Sequence, residues 1–210
     1  MGNCPDREGR RCGLPSTCGE FARPADSKLD DEQREALNGL LSSTNAISVF
    51  RGGAGTGKSF VLSELVEQVQ QAGRCVVVLA PQRQQVVDME KAGLPSPSTV
   101  ANFLLKHELA AGAIVVVDEA GQIGGRQMLE LLRLARERNA RVILSGDTRQ
   151  HGAVEASDAL LAIERHAGVK PIELHKIRRQ DPALGRDFDE RKRIKTSVGQ
   201  TRPHQCAEAR

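Results

Sequence analysis

The clearest chemical signal in this 210-residue chain is a short run of glycines that ends in lysine and serine. The run consists of Gly52, Gly53, Ala54, Gly55, Thr56, Gly57, Lys58 and Ser59, and it fits the pattern G-x-x-x-x-G-K-S/T. Its glycines let the backbone turn so tightly that successive N–H groups point at phosphate groups. A structural turn alone does not require Lys-Ser after the glycines. We therefore expect Lys58 to reach the β- and γ-phosphates of ATP and Ser59 to bind Mg²⁺.

A pair of acidic residues, Asp118 and Glu119, follows the apolar run Ile114–Val117. We expect this run to be a buried strand next to the strand that leads into the glycine run. Asp118 at its carboxyl end would then hold a Mg²⁺-bound water, and Glu119 would polarise the water that attacks a phosphate. The alternative is a helix that begins with Asp-Glu, since acidic residues favour the positive end of a helix.

A third polar segment, Gly146–Gln150, follows the apolar run Val142–Leu144. Because α/β sheets bind ligands at the carboxyl ends of their strands, we expect this segment at the same edge as the acidic pair. Gln150 is suited to sense a γ-phosphate, since its side-chain amide both donates and accepts hydrogen bonds. The alternative is that Gly-Asp forms an ordinary turn here.

Helices and strands must alternate along the chain to bring these segments to one edge. Three groups of apolar residues recur at helical spacing. They are Ala36, Leu37, Leu40 and Leu41; Val61, Leu62, Leu65, Val66 and Val69; and Met128, Leu131, Leu132 and Ala135. Ala46–Phe50 predicts a strand, and three continuous apolar runs predict strands buried on both faces, at Cys75–Leu79, Ile114–Val117 and Val142–Leu144. This alternation predicts an α/β fold, a mostly parallel sheet with helices on both faces.

Composition and patterning suggest how the chain is divided. Residues 1–28 predict a poorly ordered lead-in, residues 29–186 the folded domain, and residues 187–210 a basic tail or the truncated start of a second domain. No apolar run approaches the roughly 18 residues of a membrane span, and the N-terminus has no apolar region of a secretory signal. We therefore expect a cytoplasmic protein with no membrane partner. The net charge of +3 does not by itself require a polyanionic partner.

Together these segments resemble the first motor domain of superfamily 1 DNA helicases. Seven blocks occur in the order typical of that family. They are Leu29–Gln33, Gly52–Ser59, Leu79–Pro81, Ser98–Phe103, Asp118–Ala120, Gly146–Gln150 and Ile177–Gln180. Within the superfamily they are most similar to the RecD-like group, which includes the helicase part of conjugative relaxases. The resemblance implies a RecA-like P-loop NTPase fold, and an ATPase that couples hydrolysis to translocation along single-stranded DNA.

The resemblance also implies further site residues. Gln33 resembles the glutamine that reads adenine, although D-x-x-Q with Asp30 is also a helix capping box, and both roles are compatible. Arg179 matches an arginine that contacts the γ-phosphate, with an exposed basic residue as the alternative. The segments similar to those that grip single-stranded DNA contribute Ala80, Pro81, Thr99, Asn102 and Phe103. Phe103 is the best candidate for stacking on a base, and an apolar core position is its alternative.

The chain departs from the family pattern in two ways. Gln82 follows Ala-Pro where the family usually has threonine, and the blocks expected after Arg179 are absent, with most of a second RecA-like domain. We therefore expect weak DNA binding, slow ATP turnover and no strand separation by this chain alone, unless a second domain acts in trans. A non-catalytic ATP- or DNA-binding remnant and a P-loop NTPase of another class remain alternatives. A relaxase is excluded for this polypeptide, because it has no tyrosine to act as nucleophile.

Overall fold

A computed structural model describes residues 29–146, 157–166 and 168–176, with only the backbone described at residues 157 and 158. These residues form a six-stranded sheet in which all neighbouring strands are parallel. The strands are β1 (Ile47–Gly52), β2 (Val76–Ala80), β3 (Ser98–Thr99), β4 (Ile114–Val117), β5 (Arg141–Gly146) and β6 (Ile172–Leu174). They lie side by side in the order β3-β2-β4-β5-β1-β6.

Helices separate most of the strands along the chain. The α-helices in the described ranges are α1 (Asp31–Ser42), α2 (Lys58–Gln71), α3 (Arg83–Lys91), α4 (Val100–Lys106), α5 (Gly125–Glu137) and α6 (Ser157–His166). A short 3-10 helix, Ala120–Gln122, follows β4. The predicted helices correspond to α1, α2 and α5. The four predicted strands are confirmed, β4 with its predicted bounds and the others within two residues.

Helices cover both faces of the sheet. Residues of α1, α2 and α3 form one apolar cluster with Phe50, Val78 and Ile143, whereas residues of α4, α5 and α6 form a second cluster on the opposite face. Because side chains alternate along a strand, the two clusters share β4. Ile114 and Val116 belong to the first cluster, and their neighbours Val115 and Val117 to the second. The predicted α/β fold with helices on both faces is therefore confirmed.

The order of the strands corrects one prediction. We expected the strand before Asp118 to lie next to the strand of the glycine run, but β5 lies between β4 and β1. Val117 pairs with Leu144, and the following residue of β5, Ser145, pairs with Phe50 of β1. Asp118 is thus separated from the glycine run by one intervening strand. The reason is that apolar runs of similar composition carry no local information about which run pairs with which.

Several elements were not predicted from the sequence, namely α3, α4, α6, β3 and β6. Helix α3 buries only Val86 and Met89, so its apolar stripe is too sparse to show a helical period. Strands β3 and β6 have two and three residues, which is below the length at which alternation can be recognised. The two strands depend on tertiary pairing, because within the described residues β3 pairs only with β2 and β6 pairs only with β1.

A buried arginine ties α1 to the sheet. The guanidinium of Arg141, which is 2% exposed, donates to the carbonyl oxygen of Leu40 at 3.2 Å and to that of Asn45 at 3.3 Å. Helix α1 has no basic residue in its own last turn, so Arg141 provides a donor for a carbonyl at its C-terminal end. Burial, together with the nearby charge of Arg74, lowers the pKa of Arg141 to about 10. This contact holds α1, whose first turn contains Gln33, against the sheet.

Among the helices in the described ranges, none is long and apolar enough to cross a lipid bilayer.

Candidate nucleotide-binding site

The glycine run forms a tight loop between β1 and α2. Gly55 has φ of 80° and Gly57 has φ of 87°, in the left-handed region that favours glycine. Gly57 is also the N-cap of α2, and its carbonyl oxygen accepts from the backbone N–H groups of Phe60 and Val61 at 3.1 and 3.2 Å. The hydroxyl of Thr56 donates to the carbonyl oxygen of Gly53 at 2.9 Å, which closes the loop. The loop therefore leads directly into a helix N-terminus, where backbone N–H groups can bind an anion.

Lys58 is the first residue of α2, and its side chain folds back over the loop. Its ammonium donates to the carbonyl oxygen of Gly52 and, at 3.4 Å, to that of Gly53. The residue is 9% exposed, so its positive charge lies within the loop rather than in solvent. Because the ammonium is already held at the loop, it can contact a phosphate bound there with little change in side-chain conformation.

Gly52 is the point at which the loop packs most tightly on itself. A Cβ at this position would lie 2.7 Å from Thr56 Oγ1, 3.0 Å from Lys58 Cγ and 3.3 Å from Leu174 Cβ. Gly52 also pairs with Leu174 of β6. The first glycine of the run is therefore required for the close approach of β1, the loop and β6.

Asp118 lies at the carboxyl end of β4 and is held by two hydrogen bonds. Its Oδ1 accepts from the hydroxyl of Ser145 at 3.0 Å and from the backbone N–H of Glu119 at 3.0 Å. Burial raises the pKa of Asp118 above its ordinary value, while these two hydrogen bonds and the charge of Lys58 oppose the rise. The charge of Lys58 thus acts on the pKa of Asp118 even though β5 lies between their strands.

Glu119 has an unusual backbone conformation for a residue other than glycine. Its φ of 50° and ψ of 40° lie in the left-handed region, which costs about 1 kcal/mol for an L-residue. It is the N-cap of the 3-10 helix, so the left-handed residue makes the turn from β4 into that helix. The alternative, a helix that begins with Asp-Glu, describes the local structure in part, since Glu119 precedes a 3-10 helix, whereas α5 begins only at Gly125. Strain of this kind is common at functional sites.

A cavity of about 390 Å³ lies between α2 and α3 and opens beside the acidic pair. Its lining includes Ser59, Asp118 and Glu119, with apolar residues such as Leu62 and Met89 beneath them. The described residues hold no cluster of three or more carboxylate, histidine or cysteine side chains that could bind a metal by themselves. Mg²⁺ commonly uses one or two protein ligands and completes its shell with phosphate oxygens and water. A serine hydroxyl and one carboxylate fit that requirement.

Gln33 forms the capping box predicted for it. Its Oε1 accepts from the backbone N–H of Asp30 at 3.2 Å, and Asp30 Oδ1 accepts from the backbone N–H of Gln33 at 3.0 Å. Glu32 beside it accepts from the backbone N–H groups of His175 at 2.6 Å and of Lys176 at 3.4 Å. The first turn of α1 is therefore joined to the last described residues before the block that contains Arg179.

The segments predicted to contact DNA come together at the edge of the sheet. Ala80 pairs with Thr99 across β2 and β3, although Ala80 itself is fully buried. Thr99 is the N-cap of α4 and accepts from the backbone N–H of Asn102 at 3.2 Å, and Asn102 is exposed. Phe103 is 6% exposed and belongs to the apolar cluster of α4, α5 and α6. The structure thus favours the core position for Phe103 over base stacking.

Two predicted site residues, Gln150 and Arg179, lie outside the described residues. Ser145 was not predicted from the sequence, although a serine directly after the apolar run Val142–Leu144 was a signal, because buried polar side chains need partners. Arg51, which precedes the glycine run, was not predicted either. The guanidinium of Arg51 forms ion pairs with Glu164 of α6 and, at 2.9 Å, with Glu173 of β6. This cluster joins α6 and β6 to the strand that leads into the loop.

The chain is similar in sequence to known proteins over most of its length. A family model described as an AAA domain matches residues 28–200. The probable conjugal transfer protein TraA of Sinorhizobium fredii (strain NGR234) is 31% identical over 159 residues, and the multifunctional conjugation protein TraI of Escherichia coli K12 is 25% identical over 170 residues. The matches cover 73% and 75% of this chain but only 14% of TraA and 10% of TraI.

One solved structure shows the same fold. The crystal structure of Pif1 helicase from Candida albicans matches with a TM-score of 0.52 and 18% sequence identity. The match covers 84% of this chain and 49% of that one.

Proposed function

Since this chain belongs to the AAA domain family and is a RecA-like domain of the superfamily 1 helicase type, we propose that it binds ATP with Mg²⁺ in the loop Gly52–Ser59 and hydrolyses it. The family supports an ATPase in general. The assignment of individual residues to binding, metal coordination and hydrolysis is our proposal.

The observation that carries the proposal is that Ser59, the last residue of the loop, and Asp118, at the end of β4, line the same cavity. The loop offers a helix N-terminus and a buried ammonium, which suit the β- and γ-phosphates of ATP. A carboxylate whose pKa responds to that ammonium lies across β5. An anion site and an acidic residue at one sheet edge are what phosphoryl transfer requires.

Ser59 and Asp118 are the residues that would hold Mg²⁺. The bound ion would stabilise the negative charge that develops on the phosphate oxygens during the reaction. Asp118 is oriented for this role by Ser145 and by the backbone of Glu119, both of which donate to Oδ1. The protein thus aligns its metal ligand through fixed hydrogen bonds, which raises the affinity and selectivity of such sites.

Glu119 is our candidate for the residue that activates water. In the proposed reaction the water oxygen bonds to the γ-phosphorus as the bond between that phosphorus and the β–γ bridging oxygen breaks, and Glu119 accepts the proton. Its left-handed backbone and its place on the rim of the cavity support this role. Gln33 is proposed to read adenine, and Gln150 and Arg179 to contact the γ-phosphate.

We also propose single-stranded DNA as the partner, bound weakly along the edge formed by Pro81, Thr99 and Asn102. The pairing of Ala80 with Thr99 supports a continuous track, because it joins two segments that are separate in sequence. The capping hydrogen bond between Thr99 and Asn102 orients the start of α4 along this edge. In a longer protein, a second RecA-like domain would complete the track, and hydrolysis would drive translocation.

The decisive experiment measures ATP turnover of the purified chain with and without single-stranded DNA. Asp118→Asn should weaken Mg²⁺-dependent nucleotide binding. Glu119→Gln should preserve binding and lower turnover by about 10²- to 10⁴-fold, the usual contribution of a general base. Glu90→Gln, an exposed glutamate on α3, is the matched control and should behave as the wild type.

Each outcome of this experiment has a defined meaning. Wild-type turnover by Glu119→Gln would show that another group activates water. Tight ATP binding with no turnover in any variant would identify a non-catalytic nucleotide-binding protein. No binding of ATP by the wild type would overturn the proposal. A forked-duplex assay tests the further prediction that this chain alone does not separate strands.

A further inference from the structure

We propose that three glutamines, Gln82, Gln85 and Gln122, couple the nucleotide site to the DNA track, with Gln122 as the positioning residue that joins them. The inference rests on the proposed function, because it concerns how the two proposed sites communicate. The three side chains connect the start of α3 with the 3-10 helix that follows the acidic pair. They are referred to below as the glutamine bridge.

The bridge consists of three hydrogen bonds. Gln122 Oε1 accepts from Gln82 Nε2 at 3.0 Å and from Gln85 Nε2 at 3.1 Å. Gln85 Oε1 accepts from the backbone N–H of Gln82 at 3.0 Å. The contacts to Gln122 span 40 and 37 residues of sequence, so they join separate elements of the fold.

The backbone determines the direction of these hydrogen bonds. Since Gln85 Oε1 is occupied by a backbone donor, the other end of that amide, Nε2, faces Gln122. Gln122 must then offer its oxygen, and it can accept a second hydrogen bond only from a donor, which is Nε2 of Gln82. The arrangement is therefore consistent at every amide, and it depends on a single acceptor, Gln122 Oε1.

The bridge joins the two places that must respond to each other in a coupled ATPase. Gln122 ends the 3-10 helix whose N-cap is Glu119, our candidate for activating water. Gln82 follows Pro81 directly and is the N-cap of α3. The 3-10 helix and the glutamine bridge therefore connect Glu119 to the start of the DNA track. Gln82 is also the residue at which this chain departs from the usual threonine of the family.

The space under the bridge explains why hydrogen bonds can carry this coupling. The cavity of about 390 Å³ separates α2 from α3, and Gln85 and Gln122 both line it. Helix α3 is therefore held to the end of β4 partly by the bridge rather than by packed side chains alone. Gln82 and Gln122 are exposed, so the bridge can form and break without opening the apolar core. Coupling requires an element with two such arrangements.

The test is a thermodynamic linkage measurement on the whole chain. The affinity for a fluorescent oligo-dT strand is measured with and without Mg²⁺ and a non-hydrolysable ATP analogue, and the ratio of the two dissociation constants is the coupling factor. We expect a wild-type factor of about fivefold or more, the lower end of typical allosteric coupling. Gln122→Met removes the shared acceptor and should bring the factor close to one.

Two further variants separate coupling from a structural effect. Gln122→Glu keeps an acceptor oxygen and should restore most of the coupling factor. Gln84→Met changes an exposed glutamine of α3 whose amide donates to Asp88 at 3.2 Å within the helix, and it should leave the factor unchanged. The separate affinities for the analogue and for the oligonucleotide should remain near wild type in all variants, as should the melting temperature.

The outcomes distinguish this inference from the proposed function. A wild-type factor that persists in Gln122→Met would overturn the bridge and leave the ATPase proposal intact. A wild-type factor of one would also overturn the inference, since there would be no coupling to carry. Absence of nucleotide or DNA binding by the wild type would overturn the proposed function, and the inference with it. Loss of the factor in Gln122→Met with recovery in Gln122→Glu would establish the bridge.

Discussion

The hydroxyl of Ser145 donates to Asp118 Oδ1 at 3.0 Å, so that a residue of β5 holds the carboxylate at the end of β4. This contact is the consequence of the strand order, in which β5 lies between β4 and the strand of the glycine loop. Ser145 is fully buried and pairs with Phe50 of β1. Ser145 thus connects the two halves of the candidate site, through its side chain to Asp118 and through its backbone pairing to β1.

The first prediction concerns the stability of Asp118→Asn at different pH values. Because the folded pKa of Asp118 is raised, wild-type stability should fall as pH rises from the ordinary carboxyl value of 3.8 through the folded pKa. Asparagine does not titrate, so the free energy of unfolding of the variant, relative to that of the wild type, should increase across that window and then stay constant. Thermal unfolding without Mg²⁺ or nucleotide measures it. Gln84→Met changes an exposed side chain of α3 that does not titrate, so this variant should follow the wild-type profile. A relative free energy of unfolding that decreases as pH rises would show that the folded pKa of Asp118 is not raised.

A second prediction concerns the lysine of the loop. Lys58→Ala removes the buried ammonium and should weaken ATP binding about 10- to 100-fold, from the 1.5 to 3 kcal/mol typical of hydrogen bonds to charged groups. Titration calorimetry measures the change. Lys91→Ala, at the exposed end of α3, is the control and should bind ATP like the wild type. Equal binding by both variants would show that the loop does not hold the phosphates.

A third prediction tests the close approach at Gly52. Gly52→Ala would place a Cβ 2.7 Å from Thr56 Oγ1 and 3.0 Å from Lys58 Cγ. The loop must shift to relieve this contact, so we expect a loss of about 1 to 3 kcal/mol in stability, as for other overpacked sites, together with weaker ATP binding. Gly125→Ala has no atom within 4 Å of the added Cβ and lies in α5, so it should be neutral or slightly stabilising. Chemical denaturation compares the two, and a neutral Gly52→Ala would refute the packing argument.

A fourth prediction concerns the ion cluster behind the loop. Arg51→Met would leave Glu164, whose side chain is 6% exposed, as a buried charge without its arginine. We expect a loss of about 3 kcal/mol in the free energy of unfolding, the order measured when one partner of a buried pair is removed. Adding Glu164→Leu should recover most of this loss, because the buried charge is then gone. Urea unfolding of the two variants tests the prediction, and it is contradicted if the double variant is no more stable than Arg51→Met.

Much of the candidate site could be predicted from local patterns. The glycine run, the acidic pair and the capping box of Asp30 with Gln33 each depend on residues a few positions apart, and the structure has the loop, the strand end and the cap where they were expected. The order of strands was predicted wrongly. The role of Phe103 was left between stacking and the core, and only its burial in the second apolar cluster decides between them.

By itself the sequence determined what short stretches of chain must do. Glycines allow the left-handed turns at Gly55 and Gly57, and apolar runs must be buried on both faces, because these are properties of the residues themselves. Only the tertiary structure decided that β5 separates β4 from β1. It also decided that Arg51 pairs with Glu164, 113 residues away in the sequence, and that Gln122 accepts hydrogen bonds from Gln82 and Gln85. The physical reason is that backbone hydrogen bonds join any two apolar strands equally well. The choice among partners is made when the whole core packs and buried polar groups find one another.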